Sequence, residues 1–198
     1  ELISVPASTA LVPPNGNSAY PAASDDGRWV VFASESDNLV AGDSNGLVDI
    51  IRVDRQTGAQ VIVSQADGLA ANGPVNWTRP DISNDGRYVV FLSRASNLVA
   101  GDSNGRADLF RKDLQTGNIL RLSWLNPVAD GPGALSLTGD GHTLVFADYA
   151  ANWISGAPNV LQIIRVDWQT LQISTISTGA PLNSNGPIPI SSDGRCLV

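Results

Sequence analysis

Residues 83–91 of the chain read SNDGRYVVF, and this stretch decides the fold. Its Asp-Gly pair is typical of a tight hairpin turn, and the β-branched and aromatic residues that follow favour a strand. The stretch occurs again at residues 24–32 and, in weaker form, at 138–146 and 191–198. The turn aspartates are spaced by 59, 55 and 53 residues, at Asp26, Asp85, Asp140 and Asp193.

Two further elements share this period. The sequence NLVAGDSNG stands at residues 38–46 and is repeated without change at residues 97–105. Turns that begin D-x-Q-T occur at residues 54–58, 113–117 and 167–171. Three separate signals at one period establish an internal repeat, which is the signature of a repeat architecture.

Each unit is predicted to contain four short strands, because strand-forming runs alternate with turn residues. In the second unit we expect these strands at residues 80–83, 87–92, 108–113 and 119–123. No segment shows the spacing of an amphipathic helix. Four-stranded antiparallel units at this period predict an all-β protein, a β-propeller of which about three and a half blades are present. The chain is then a single propeller segment with units at residues 1–59, 60–118, 119–172 and an incomplete 173–198.

The pattern S-x-D-G-R-x-x-x-F, followed by G-D-S-N-G-x-x-D and D-x-x-T-G, resembles the TolB-type, WD-like β-propeller repeat. The resemblance covers essentially the whole chain, and the acidic loops are similar to the G-D-x-N-G-x-x-D loops of a bacterial exported subfamily. It implies an exported protein, located in the periplasm, on the cell surface or outside the cell. The third unit departs from the pattern at residues 156–159, which read GAPN, at Gln162 and at Leu171.

The composition excludes several classes of function. The formal net charge is −7, which argues against a nucleic-acid surface, where basic side chains supply most of the affinity. One cysteine cannot form an internal disulfide, and one cysteine with one histidine excludes most zinc sites. No apolar run reaches the roughly 18 residues of a membrane helix, so we expect no membrane insertion.

We expect the chain to be a segment of a larger ring, or one piece of a ring shared between chains, as in a homo-oligomer. It begins at Glu1, contains no methionine and ends at Val198 within a predicted strand. Residues 1–5 resemble residues 60–64, the predicted fourth strand of a blade, and are therefore assigned to a preceding blade. Closed propellers have at least about four blades.

The strand order predicts that the two ends of each blade differ. In a four-stranded meander, the turns between strands one and two and between strands three and four emerge at the same end. These turns are short, whereas the loops between strands two and three and the connections between blades are long. Binding residues are commonly carried by long loops on a rigid scaffold, so the long-loop end is the predicted binding face.

The two identical acidic loops are the candidate metal sites. Alternating oxygen ligands before a sharp glycine turn are typical of loops that bind Ca²⁺. The candidate ligands are Asp43, Asn45, Asp49, Asp102, Asn104 and Asp108. Each loop lacks the bidentate glutamate of an EF-hand, and the alternative is an Asp/Asn turn whose side chains bind their own backbone. Both interpretations stay open, and no other cofactor is expected.

Four side chains in or beside the long loops are candidate partner-binding residues: Trp77, Arg79, Trp124 and Trp153. An exposed tryptophan beside an arginine is suited to stack on a sugar ring or to anchor a protein partner. The alternative is that the tryptophans fill gaps between neighbouring blades.

Catalysis has little support in the sequence. His142, the single histidine, lies in a tight turn away from the long loops, and no G-x-S-x-G nucleophile motif is present. We therefore expect a non-enzymatic binding or assembly module of an exported bacterial protein, with a protein or glycan partner. The alternative is the substrate-gating propeller of a serine hydrolase that resembles the prolyl oligopeptidase group, with its catalytic domain absent from this chain. A third hypothesis is a structural subunit that another chain completes.

Overall fold

The computed structural model describes residues 13–76, 78–122, 132, 135–176, 190–191 and 193–194. These residues include three four-stranded antiparallel sheets, or blades, in which the strands lie in chain order. The first blade consists of β1 (Ser18–Ala23), β2 (Trp29–Ser34), β3 (Asp49–Asp54) and β4 (Gln60–Ile62). The connection to the next blade carries a small hairpin of β5 (Gln65–Ala66) and β6 (Leu69–Ala70).

The second and third blades repeat this arrangement. The second blade consists of β7 (Asp81–Ile82), β8 (Tyr88–Ser93), β9 (Asp108–Asp113) and β10 (Ile119–Leu122). The third blade consists of β11 (Ser136–Leu137), β12 (Thr143–Tyr149), β13 (Leu161–Asp167) and β14 (Gln172–Thr175). A single 3₁₀ turn, Ala150–Asn152, follows β12. No helix in the described part of the chain is long and apolar enough to cross a membrane.

The predicted all-β propeller with about three and a half blades is confirmed. The four strands expected in the second unit are β7 to β10, with ends that differ by at most one residue. The fourth unit begins with the same turn as the others, since the Gly194 N–H donates to the Ser191 carbonyl at 2.8 Å. The rest of that unit, and residues 1–5 with their predicted strand, lie outside the described residues.

Hydrogen bonds in the hairpin turn explain why the S-x-D-G-R pattern is repeated. The Ser83 hydroxyl donates to the Asp85 carboxylate at 2.6 Å and accepts the Tyr88 N–H at 2.9 Å. Asp85 in turn accepts the Arg87 N–H at 2.9 Å. Asp/Ser side chains that satisfy backbone groups in this way stabilise turns. The first blade makes the same bonds, and Thr138 replaces the serine in the third.

The core lies between the blades, because each middle strand sends alternate side chains to opposite neighbours. From β8, Val89 and Phe91 pack toward the first blade, and Val90 and Leu92 pack toward the third blade. Phe91 stacks on Phe110 of the adjacent strand with ring centroids 5.7 Å apart. The propeller is therefore held together by contacts between sheets as much as by pairing within them.

A glycine in the hairpin turn of the second blade, and another in that of the third, lets the preceding blade approach. Gly86 has a φ of +72°, and a Cβ at this position would overlap the indole of Trp29 from the preceding blade. Arg52 lies over the same indole and donates from Nη1 to the Gly86 carbonyl at 2.7 Å. In the next pair of blades, Tyr88 packs on Gly141 in the same way. The Asp-Gly turn thus serves blade docking as well as the hairpin.

Candidate functional site

The blades have two different ends. At one end, which we call the tight-turn face, residues 24–28, 55–59 and their equivalents join neighbouring strands. At the other end, the long-loop face, residues 35–48, 94–107 and 150–160 join the second strand of each blade to its third. Four of the six predicted metal ligands, Asp43, Asn45, Asp102 and Asn104, lie in the first two of these long loops. Asp49 and Asp108 are the first residues of the strands that follow, β3 and β9.

In the first blade, the acidic loop is folded around the side chain of Asn45. Its amide oxygen accepts the Leu47 N–H at 2.9 Å, and its amide nitrogen donates to Asp49 at 2.8 Å. Asp49 is buried and also accepts a hydrogen bond from the Ser64 hydroxyl. These bonds are those of an Asx turn, which was the alternative to a metal site.

The carboxylate of Asp43 in this first loop is only partly satisfied by hydrogen bonds. One of its oxygens, Oδ1, is buried without a hydrogen-bond partner. Burial, and then the nearby charge of Asp49, raise the pKa of Asp43 above its ordinary value. Burial also raises the pKa of Asp49, against the lowering effect of its hydrogen bonds to Ser64 and Asn45. The loop therefore holds two carboxylates that disfavour each other's charge.

The second acidic loop has the same sequence but a different electrostatic setting. Nη1 of Arg121 lies 2.6 Å from Oδ1 of Asp102 and 3.8 Å from Oδ2 of Asp108. Asn104 repeats the role of Asn45, donating to Asp108 at 2.9 Å and accepting the Arg106 N–H at 2.9 Å. A guanidinium thus already supplies positive charge to this loop.

In the third blade, the carboxylate is on the opposite strand. Cα pairing places Asp148 of β12 across from Gln162 of β13, whereas Ser93 pairs with Asp108 in the second blade. Asp148 is buried and accepts hydrogen bonds from Asn152 Nδ2 at 2.9 Å and from the Trp153 indole at 2.7 Å. The third blade therefore also has a buried carboxylate, and nearby side chains of the same blade donate hydrogen bonds to it.

The predicted partner-binding residues are not one cluster in the structure. Trp153 is 5% exposed and packs against Phe146 with ring centroids 4.8 Å apart, as expected for a tryptophan that fills the core rather than one on the surface. Arg79 is exposed just before β7. Trp77 and Trp124 lie outside the described residues.

Two exposed apolar side chains on the long-loop face were not predicted from the sequence. Tyr149 ends β12 with 48% of its surface exposed, and Val160 precedes β13 with 47% exposed. The Ala150 N–H donates to the Val160 carbonyl at 3.0 Å, which joins the two segments. The replacement of Arg94 by Tyr149 at the corresponding position of the repeat was the available signal.

No set of three or more His, Cys, Asp or Glu side chains in the described residues is arranged to hold a metal ion. The ring of His142 lies against Tyr88, with centroids 5.7 Å apart, on the tight-turn face. In this position the histidine packs at a blade boundary.

Comparison with solved structures identifies the architecture. TolB from Acinetobacter baumannii is similar to 91% of this chain with a TM-score of 0.56 and 19% sequence identity. A putative TolB from Agrobacterium tumefaciens is similar to 90% of the chain, with a TM-score of 0.52 and 19% identity. The fold is that of a TolB-type β-propeller. At these identities the likeness establishes the fold, and it covers 36% and 56% of the two TolB structures.

The chain is also similar in fold to the propeller domain of a protease. The β-propeller domain of the Trilobed protease from Pyrococcus furiosus is similar to 80% of the chain, with a TM-score of 0.50 and 16% identity. The chain covers 41% of that structure. Neither a protein-family model nor a curated protein matches the sequence.

Proposed function

We propose that this propeller is a non-catalytic binding module whose long-loop face recognises a protein partner. The exposed pair Tyr149 and Val160 is the observation that carries the proposal. Both side chains stand at the ends of strands that are paired over seven residue positions, so the scaffold holds them in place. Large apolar side chains presented by a rigid frame are suited to anchor a partner at low entropic cost.

The neighbouring blades give this face a polar rim. Arg79 and Arg94 are exposed, and the acidic loops of the first two blades flank the same end of the sheets. An apolar centre with charged surroundings is the usual anatomy of a protein interface. Export to the periplasm, the cell surface or the medium is part of the proposal and is supported by the TolB-type repeat pattern.

The enzymatic alternative has no specific observation in its favour. A gating propeller would act together with a catalytic domain, and the likeness to a protease propeller concerns the fold alone. The hypothesis that another chain completes the ring stays a prediction, and the mass of the protein in solution tests it.

Calcium binding, in this proposal, is confined to the first blade. Among the described residues, no basic side chain acts on the carboxylates of Asp43 and Asp49, whereas Arg121 already pairs with Asp102 in the second blade. The proposed ligands are Asp43, Asn45 and Asp49, and the ion would relieve the repulsion between the two carboxylates.

A site-specific photo-crosslinker tests the partner proposal. Benzoylphenylalanine at position 149 is expected to give a discrete adduct in an envelope extract of the source organism. The matched control carries the crosslinker at Gln56, an exposed residue of the tight-turn face, and is not expected to give the same adduct. Adding Val160→Ser to the variant with the crosslinker at position 149 should weaken that adduct. The same adduct from Gln56, or binding only in a glycan array, would contradict a protein partner on the long-loop face.

A further inference from the structure

A cavity of about 280 Å³ lies between the first two blades on the tight-turn face, opposite the long loops. Its lining residues are Trp29, Arg52, Asp85, Arg87, Leu114 and Gln115. Two of them come from the first blade and four from the turns of the second blade. The cavity is slightly smaller than the usual range for drug-sized ligands, which suits a single ring system.

At the boundary between the second and third blades, the corresponding space is filled by a tryptophan of the repeat. Leu114 and Trp168 occupy corresponding positions of the D-x-Q-T turn. Their backbones are held alike, since the Leu114 N–H donates to the Arg87 carbonyl at 2.8 Å and the Trp168 N–H donates to the His142 carbonyl at 2.9 Å. Trp168 is 1% exposed, so its indole is completely enclosed at this boundary.

The indole of Trp168 completes a stack around an arginine. The guanidinium carbon of Arg111 lies 4.4 Å from the ring centroid of Tyr88 and 5.6 Å from that of Trp168. Both distances are within the range of a cation–π interaction. Tyr88 is 8% exposed and Arg111 is 9% exposed beneath this cover.

At the first boundary, half of this stack is present. Arg52 corresponds to Arg111, and its guanidinium carbon lies 4.4 Å from the ring centroid of Trp29. Leu114 supplies no aromatic ring on the other side, and Trp29 and Arg52 are only partly buried. The cavity is therefore the space that an indole occupies one blade further along the chain.

We propose that this cavity binds an aromatic side chain of a protein partner, a tryptophan or a tyrosine, stacked on Arg52. The π-face of the ring complements the guanidinium charge, and a rigid aromatic side chain that fills a pocket is a common interface anchor. This site lies on the face opposite the proposed partner surface and is independent of it. The propeller would then engage partners at both ends.

Titration with N-acetyl-tryptophanamide tests the site directly. The probe is expected to shift the NMR signal of the Arg52 side-chain Nε–Hε group in a saturable manner. N-acetyl-leucinamide, which has no ring, should bind at least tenfold more weakly. Absence of saturation by the aromatic probe, or equal affinity for the leucine probe, would overturn the proposal.

Variants at corresponding positions provide matched controls. Leu114→Trp should fill the cavity from within and weaken probe binding at least tenfold, whereas Leu114→Ile should leave it within twofold of wild type. Trp168→Leu should open the equivalent space beside Arg111 and raise the stoichiometry from one to two. If Trp168→Leu does not fold, the comparison of the two Leu114 variants still decides. Undiminished binding to Leu114→Trp would contradict the assignment of the site.

Discussion

Nη1 of Arg121 lies 2.6 Å from Oδ1 of Asp102, whereas the corresponding position of the first blade is occupied by Ile62, a buried residue. Two loops with the same nine residues thus differ in charge because of one residue on the outer strand of each blade. The loop of the second blade has a positive side chain beside its carboxylates, whereas the residue at the corresponding position of the first blade is uncharged. The two loops should therefore respond differently to mutation and to added cations.

Replacing Arg121 with Ile tests this counter-charge. The change removes the guanidinium beside the buried carboxylates of Asp102 and Asp108, and removing one partner of such a pair is strongly destabilising. We expect the free energy of unfolding, measured by urea denaturation, to fall by roughly 2–3 kcal/mol. Arg106→Leu is the matched control, because Leu47 stands at that position in the first blade, and it should change stability by about 0.5 kcal/mol or less. Equal effects of both changes would contradict the interpretation.

Calcium should stabilise the protein through the acidic loop of the first blade and not through that of the second. An ion that binds the folded state alone raises stability, by about 2.7 kcal/mol when its concentration is about 100 times the dissociation constant. We expect millimolar Ca²⁺ to raise the thermal midpoint of the wild type and of Asp102→Asn, relative to samples with chelator. Asp43→Asn should lose the effect. A midpoint of the wild type that does not respond to calcium would exclude the site.

Two glycines with the same backbone conformation separate blade docking from turn geometry. Gly86 and Gly58 have φ values of +72° and +76°, but only Gly86 lies against a neighbouring side chain, the indole of Trp29. Gly58→Ala should lower stability by about 1–2 kcal/mol, from the left-handed backbone alone. Gly86→Ala adds a steric overlap and should lower stability by about 3 kcal/mol or more. Thermal or urea unfolding that gives equal losses would show that Trp29 moves away without penalty.

Asp81 predicts a dependence of stability on pH. Burial raises the pKa of its carboxyl to about 6 from the ordinary 3.8, although the Leu137 and Ile82 N–H groups donate to it at 2.7 and 3.0 Å. The folded state therefore binds the proton more tightly than the unfolded chain does. This stabilising contribution is complete below about pH 4 and is lost as the pH rises through 6.

Asp81→Asn removes the charge and keeps one oxygen for the Leu137 N–H, whereas the Ile82 N–H loses its acceptor. It should raise the free energy of unfolding at pH 7 by about 1 kcal/mol, a value that allows for the partial exposure of the side chain and the lost hydrogen bond. It should also flatten the urea-derived stability profile between about pH 4 and 7. Asp67→Asn in the exposed β5–β6 hairpin serves as the control and should keep the wild-type profile. An unchanged slope in Asp81→Asn would refute the assignment.

Local sequence signals were sufficient to predict the blades. The Asp-Gly turns, the strand-forming runs and the fixed period are properties of neighbouring residues, and they located β8 and β9 to within one residue. The small β5–β6 hairpin and the 3₁₀ turn after Tyr149 were not predicted. Both lie in long connections, where tertiary contacts such as the Lys112 ammonium donating to the Gln65 carbonyl at 2.9 Å fix the backbone.

The candidate sites were less predictable, because their properties depend on residues distant in sequence. The sequences of the two acidic loops are identical, so they did not indicate that Arg121 would lie beside the carboxylates of the second loop. Trp153 was a candidate surface residue until the structure placed it beside Asp148. The cavity at Leu114 is formed by residues of two blades, so it could not be predicted from one repeat unit. The sequence shows only that Leu114 stands where the next unit has Trp168.

The exchange between Asp108 and Asp148 has a consequence for tracing how such repeats diverge. Each of the three described blades has one acid at this position of the pairing between its second and third strands, but the third blade carries it on the other strand. When an acid moves to the paired position on the neighbouring strand, a sequence alignment of the repeats no longer shows the motif. The negative charge nevertheless stays at the same place in the blade. Descent among propeller blades is therefore better followed by comparing paired positions than by comparing single ones.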